Sequence, residues 1–124
     1  MHKVNLADKL AQFSDHWHPR IVGELNGQHI KLAKLKGEFV WHHHEDEDEM
    51  FLVVKGRLTM RLRSEPPGCC EIDLDTGEFL IVPRGVEHQP VAVDEVHVML
   101  FEPAGTRNTG NVADDRTVEI PEYL

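Results

Sequence analysis

The sequence predicts an all-β fold, an antiparallel barrel carrying one short helix, on three observations. Short apolar-rich runs follow one another at close intervals, turn residues separate them, and side-chain character alternates with period two within several of them. At 124 residues the chain has material for one domain with one core. We therefore expect a single domain over residues 1–124, with a core barrel at about 20–102, a helical segment at 5–13 and a tail at 103–124.

The elements follow in chain order. Leu6, Leu10 and Phe13 stand at helical spacing behind Asn5, a residue suited to cap a helix N-terminus. Residues 21–25 and 30–35 flank Asn26-Gly27, a pair that tolerates positive φ and suits a hairpin turn. Further strands are expected at 38–44, 50–55, 57–63, 71–74, 79–82, 89–93 and 96–101, with turns at Gly37, Gly56, Gly68, Gly77 and Gly85. Leu58, Met60 and Leu62 alternate with Arg57, Thr59, Arg61 and Arg63, which marks a strand with one wet face. Val96, Val98 and Leu100 alternate with His97, Met99 and Phe101 in the same way. Met60, Met99 and Phe101 are candidates to line a cavity, with plain core filling as the alternative. Beyond Pro103 the composition turns to Gly, Thr, Asn and Asp, read as a tail that packs on the barrel or on a partner.

Thirteen basic against 22 acidic residues give a net charge of −9, which argues against nucleic acid and anionic membranes as partners. The N-terminus has no apolar core of a secretion signal, and no run approaches the roughly 20 apolar residues that span a bilayer. A soluble cytoplasmic protein is expected. The cysteines, Cys69 and Cys70, are adjacent beside Pro66-Pro67-Gly68, so they cannot staple distant parts of the chain. Edge strands need cover, and the N-terminal segment or the tail is expected to supply it in a homodimer.

The segment that carries chemistry is Gly37-Glu-Phe-Val-Trp-His42-His43-His44-Glu-Asp-Glu-Asp-Glu49. In an extended strand His42 and His44 project from one face and His43 from the other. Glu49 has the wrong parity for the same strand, so the acidic residues 45–48 form a turn that returns Glu49 on the next one. Read alone, such a polar run is an ordinary solvated turn. A second segment matters: Gly77, Pro83, Gly85 and His88 recur at ordered spacing.

Together these residues resemble the two motifs of the cupin superfamily. The first is matched by His42, His44, Glu49 and Gly56, with Gly37 one residue closer than the usual pattern; the second is matched by Gly77, Pro83, Gly85 and His88. Ala92 stands where the pattern ends in Asn. The resemblance covers residues 37–92 and implies a double-stranded β-helix, or jelly-roll barrel, whose metal ligands are His42, His44, Glu49 and His88. Three imidazoles and one carboxylate suit Fe, Mn, Ni, Co or Zn, and four protein ligands on an octahedral ion leave about two positions for water or substrate. Because histidine must be deprotonated to bind, metal is expected to leave as pH falls below about 6.

His43 is expected on the outer face, and His2, His16, His18, His29 and His97 as surface or core residues. For function, the resemblance implies an enzyme acting on a small organic substrate, as a dioxygenase, isomerase, epimerase or decarboxylase; oxidoreductase chemistry fits the ligand set best. The alternative is a non-catalytic module that senses or stores a small ligand. A third reading, a barrel working only through its surface, predicts no bound metal. No residue outside the ligands is assigned an acid or base role.

Overall fold

Asn26 and Gly27 take φ of 51° and 76°, so the Asn-Gly pair forms the turn its chemistry favours. It joins β1 (Arg20–Leu25) to β2 (Gln28–Glu38). A computed structural model describes residues 1–64 and 68–124 and adds α1 (Leu6–Leu10), β3 (Glu49–Lys55), β4 (Arg57–Ser64), β5 (Gly68–Asp75), β6 (Phe79–Val82) and β7 (His88–Pro103). The side chain of Asn5 accepts from the Asp8 backbone N–H at 3.0 Å, the expected helix cap. The helix itself stops at Leu10, while Phe13 beyond it remains buried.

β7 organises the sheet. Over its 16 residues it replaces the two strands expected at 89–93 and 96–101. Its first part pairs with β4 and with Gly37 and Glu38 of β2; its second part lies between β2 and β3. Between the two parts Val93 is 84% exposed, where the strand passes from one set of partners to the other. One leaf runs β1-β2-β7-β3-β6 and the other adds β4 and β5 beside the start of β7. The strand ladders are antiparallel, and one isolated parallel bridge joins Ile21 to Tyr123.

The closed barrel expected from the sequence is corrected to an open sheet folded into a sandwich. β6 has only four residues and pairs with β3 alone among the described strands, so hydrogen bonding does not run around a full circuit. Val53, Leu58, Met60, Val96 and Val98, each 0% exposed, fill the space between the leaves. Met60 is therefore core, while Met99 and Phe101 face the outer side of β7. Leu10 and Phe13 pack with Val22 and Leu32 on that outer side.

The chain beyond Pro103 is structured. Thr109 is 0% exposed and shares a 2.8 Å hydrogen bond with Thr117, and Asn108 donates to the Trp17 and Arg116 carbonyls. The expected turn at Pro66-Pro67 lies outside the described residues. Cys69 and Cys70 stand in β5 opposite Arg63 and Leu62. Among the described residues no helix is long and apolar enough to cross a membrane.

Candidate metal centre

The local chain around His42 differs from the strand expected at 38–44. β2 ends at Glu38, and residues 42–44 are extended but take their partners from elsewhere. His42 and His88 exchange backbone hydrogen bonds of 3.0 and 2.9 Å, and the His44 carbonyl accepts from Gly85 at 2.7 Å. Asn111 holds both backbone groups of His43: its Oδ1 accepts from His43 N–H at 2.9 Å and its own N–H donates to the His43 carbonyl at 3.1 Å. The period-two geometry survives without a ladder, so His42 and His44 face inward. The His43 side chain remains 20% exposed beside Glu45 and Glu87.

Glu49 opens β3 and His88 opens β7, so the last two groups are delivered from strand ends. The four ligand atoms of His42, His44, Glu49 and His88 lie within 4.8 Å of one another, and all four residues are buried. Glu49 Oε1 is 3.4 Å from His44 Nε2 and 3.5 Å from His88 Nε2, and none of these three atoms has a hydrogen-bond partner. Orphaned buried polar atoms are costly, typically about 1–3 kcal/mol each, unless something else satisfies them. A cation held between them would do so. Atoms about 2.0–2.2 Å from a shared ion stand roughly 3.0–3.6 Å apart at right or tetrahedral angles, which the two distances match.

The opposite ring nitrogens set the tautomers. Nδ1 of His42 donates to the Val40 carbonyl at 2.9 Å and Nδ1 of His88 to the Val86 carbonyl at 2.8 Å. Each Nε2 is thereby left with its lone pair toward the cluster, the usual arrangement behind a metal-ligating imidazole. Burial, reinforced by the neighbouring His88, lowers the His42 pKa to about 4. The sign for stability follows. An unfolded histidine titrates near 6.5, so between about pH 6.5 and 4 the unfolded chain binds a proton that folded His42 refuses. Metal-free protein is expected to lose about 3 kcal/mol across that window and little more from this residue below it. Urea midpoints against pH, compared with His42→Gln, measure it; equal slopes for the two proteins count against the assignment.

Behind Glu49 lies a feature absent from the sequence reading. The β3–β7 register, with Met50 opposite Phe101, places Glu49 beside Glu102 on the same inner face. Glu102 Oε1 accepts from Lys31 Nζ at 2.8 Å; Lys31 and Glu102 are each 1% exposed. Lys31 also donates to the Thr106 carbonyl at 3.3 Å. Burial, followed by the charge of Glu49, pushes the Glu102 carboxyl well above the carboxylate range. Burial also raises Glu49, but the Glu102 carboxyl and then the two imidazoles outweigh it and hold Glu49 well below that range. One proton kept on Glu102 accounts for both directions and leaves Glu49 anionic.

The cluster borders an apolar cavity of about 30 Å³ lined by Trp17, Phe39, Phe51, Val98 and Leu100, with His42, Glu49 and Asn108 as its polar groups. Trp17 takes φ of 61°, a strained value for a bulky residue. It is held there by its N–H to the Lys34 carbonyl, its indole N–H to the Lys36 carbonyl, both 2.9 Å, and a 4.4 Å stack on Phe39. Sequence pattern gave no sign of Trp17, because its role rests on a single strained residue outside any periodic run.

Gly110 closes the other side. A methyl group there would overlap the His43 carbonyl oxygen and stand 3.0 Å from His42 Cδ2. Gly110→Ala is expected to displace residues 42–44 and weaken metal binding roughly 10- to 100-fold, the range for loss of a ligand's supporting contact. Competition against a chromophoric chelator reads this, and unchanged affinity counts against the clamp.

A β-sandwich holding three histidines and one glutamate at a buried focus defines a class of metal-binding β proteins. The cupin domain family matches residues 29–102, and the chain belongs to it. The chain is 43% identical to a cupin-2 domain containing protein from Shewanella frigidimarina, with a TM-score of 0.75 over 81% of this chain and 93% of that one. It is 32% identical over 68 residues to the uncharacterised protein YdbB of Bacillus subtilis, a match covering 55% of this chain and 57% of that protein. Hydroquinone 1,2-dioxygenase PnpCD, solved with Fe3+, shares the fold at 18% identity, with a TM-score of 0.73 over 84% of this chain and 33% of that one.

Proposed function

We propose that the protein is a metal-dependent oxidoreductase acting on a small, uncharged, largely apolar organic molecule, with His42, His44, Glu49 and His88 as the metal ligands. The carrying observation is the convergence of buried donor atoms without hydrogen-bond partners next to a cavity walled by aromatic and aliphatic side chains. A divalent transition metal such as Fe, Mn, Ni, Co or Zn would supply a Lewis-acidic or, for iron, redox-active centre there. The iron in the hydroquinone dioxygenase named above favours a redox reading.

The chain's own groups have definite tasks. The Val40 and Val86 carbonyls orient His42 and His88, Glu102 helps to keep Glu49 anionic, and Phe39, Phe51 and Trp17 form an apolar wall beside the polar focus. Among the described residues no lysine or arginine lines the cavity, which disfavours phosphorylated or carboxylated substrates. The cavity holds about two waters as it stands, by the volume one buried water requires. Trp17 and Asn108 must therefore yield for an organic molecule to enter.

That small volume also favours a second reading, a non-catalytic module that stores or senses a small ligand. Metal analysis of untagged protein prepared without oxygen or chelators, followed by oxygen-uptake assays with neutral aromatic compounds, separates the two. Stoichiometric iron with uptake supports the oxidoreductase, and tight binding without turnover supports the module.

A further inference from the structure

The chain beyond β7 is tied to the body at both ends and crosses the mouth of the cavity between them. At one end Ala104 N–H donates to the Gly27 carbonyl at 3.0 Å; at the other, Ile21 N–H donates to the Glu122 carbonyl at 2.8 Å and Leu124 N–H to the Ile21 carbonyl at 2.9 Å. Between these anchors residues 105–118 enter no strand ladder among the described residues. Several of their backbone bonds close short turns, as from Gly110 to the Arg107 carbonyl at 3.0 Å and from Thr117 to the Asp114 carbonyl at 3.2 Å. Among the described residues that line the cavity Asn108 alone is part-exposed and the others are buried, so the way to solvent passes beneath this strap.

Polar contacts hold the strap down. Asn108 Nδ2 donates to the Trp17 carbonyl at 3.3 Å and to the Arg116 carbonyl at 2.9 Å, and its Oδ1 accepts from Val118 N–H at 2.8 Å. Arg116 donates to the Glu38 carbonyl at 3.0 Å, with its guanidinium 4.8 Å from the Phe39 ring centre. Such bonds exchange for bonds to water at small net cost, and a segment held by them opens well before a sheet does. The strap also grips residues 42–44: Asn111 bonds both backbone groups of His43, and Gly110 packs against the His43 carbonyl and the His42 ring. Behind Glu49, Lys31 Nζ joins Glu102 to the Thr106 carbonyl at the start of the strap.

We propose that residues 105–118 are a lid over the cavity, that Asn108 latches it, and that a metal ion held by His42, His44, Glu49 and His88 favours its closed position. The coupling rests on the ligand assignment made above. An ion that fixes His42 and His44 also fixes His43 between them, the residue to which Asn111 is bound. Closure in turn holds His42 and His44 where the ion needs them, so the effect is reciprocal. A small uncharged molecule enters when Asn108 releases the Trp17 carbonyl and the strap lifts between its anchors, with Gly105, at φ of 89°, as the first residue to move. The loaded site then admits a ligand in brief openings and is shielded from bulk water between them.

Hydrogen exchange on the unmodified chain, with and without zinc, tests the coupling. Zinc is expected to slow the amides of residues 108–118 at least tenfold, and Asn111→Ala to lose most of that slowing. Acrylamide, itself a small uncharged molecule, tests the lid by quenching Trp17 in a Trp41→Phe background, where Trp17 is the only tryptophan. Asn108→Ala is expected to raise the quenching constant at least threefold while the amides of β2 and β7 stay protected, which separates opening from unfolding. One equivalent of bound zinc without slower exchange at 108–118 overturns the coupling alone; failure to bind zinc overturns the ligand assignment and the coupling with it. Unchanged quenching in Asn108→Ala, or exchange that rises throughout the sheet as well, overturns the latch.

Discussion

His88→Ala is expected to leave the protein without stoichiometric metal. The residue is 0% exposed, its Nδ1 is committed to the Val86 carbonyl and its Nε2 has no partner but the cluster. Alanine removes a ligand that water cannot fully replace in a buried site. Structural zinc sites of four ligands contribute about 10–16 kcal/mol, so one ligand carries roughly 3 kcal/mol, or about 100-fold in affinity. Elemental analysis of wild type, His88→Ala and the pair His42→Ala, His44→Ala measures the loss. Unchanged metal content in either variant would show that the ligand set is wrong.

The second large effect is expected at Lys31→Met. Lys31 is the one cation in contact with Glu102 among the described residues, and its removal leaves Glu49 and Glu102 together in the interior without it. Breaking a buried pair from one side costs about 3–5 kcal/mol, because the one negative charge that Glu49 and Glu102 share is then left in the interior without its cation. Urea unfolding of metal-free protein at neutral pH reads this directly. Glu102→Gln behaves differently if Glu102 already holds a proton, since an amide keeps a neutral donor beside Glu49; about 1 kcal/mol is expected. Equal losses for the two variants would mean that Glu102 is ionised after all.

Much of the site was legible because it depends on short-range rules. Side-chain parity places His42 and His44 on one side of any extended segment, whether or not that segment belongs to a ladder. The acidic run at 45–48 marks the turn before Glu49, and Gly85 the turn before His88. The strand expected at 38–44 failed because parity does not reveal who satisfies the backbone; loops carrying Gly85 and Asn111 do so here. The division of 89–93 from 96–101 failed because exposed Val93 and its acidic neighbours look like a turn, yet the chain stays extended while exchanging partners.

By itself, the sequence determined the β class, the Asn26-Gly27 hairpin, the helix cap at Asn5 and the shared face of His42 and His44, each from local conformational preference or from spacing along an extended chain; that Glu49 and His88 join them was implied by the resemblance to the two cupin motifs. Only the tertiary structure decided that the sheet stays open at β6, that Trp17 and Asn108 line the cavity, that Gly110 and Asn111 hold residues 42–44, and that Lys31 and Glu102 stand behind Glu49. Those contacts join residues far apart in sequence, and they are set by strand register and close packing, which no local pattern encodes.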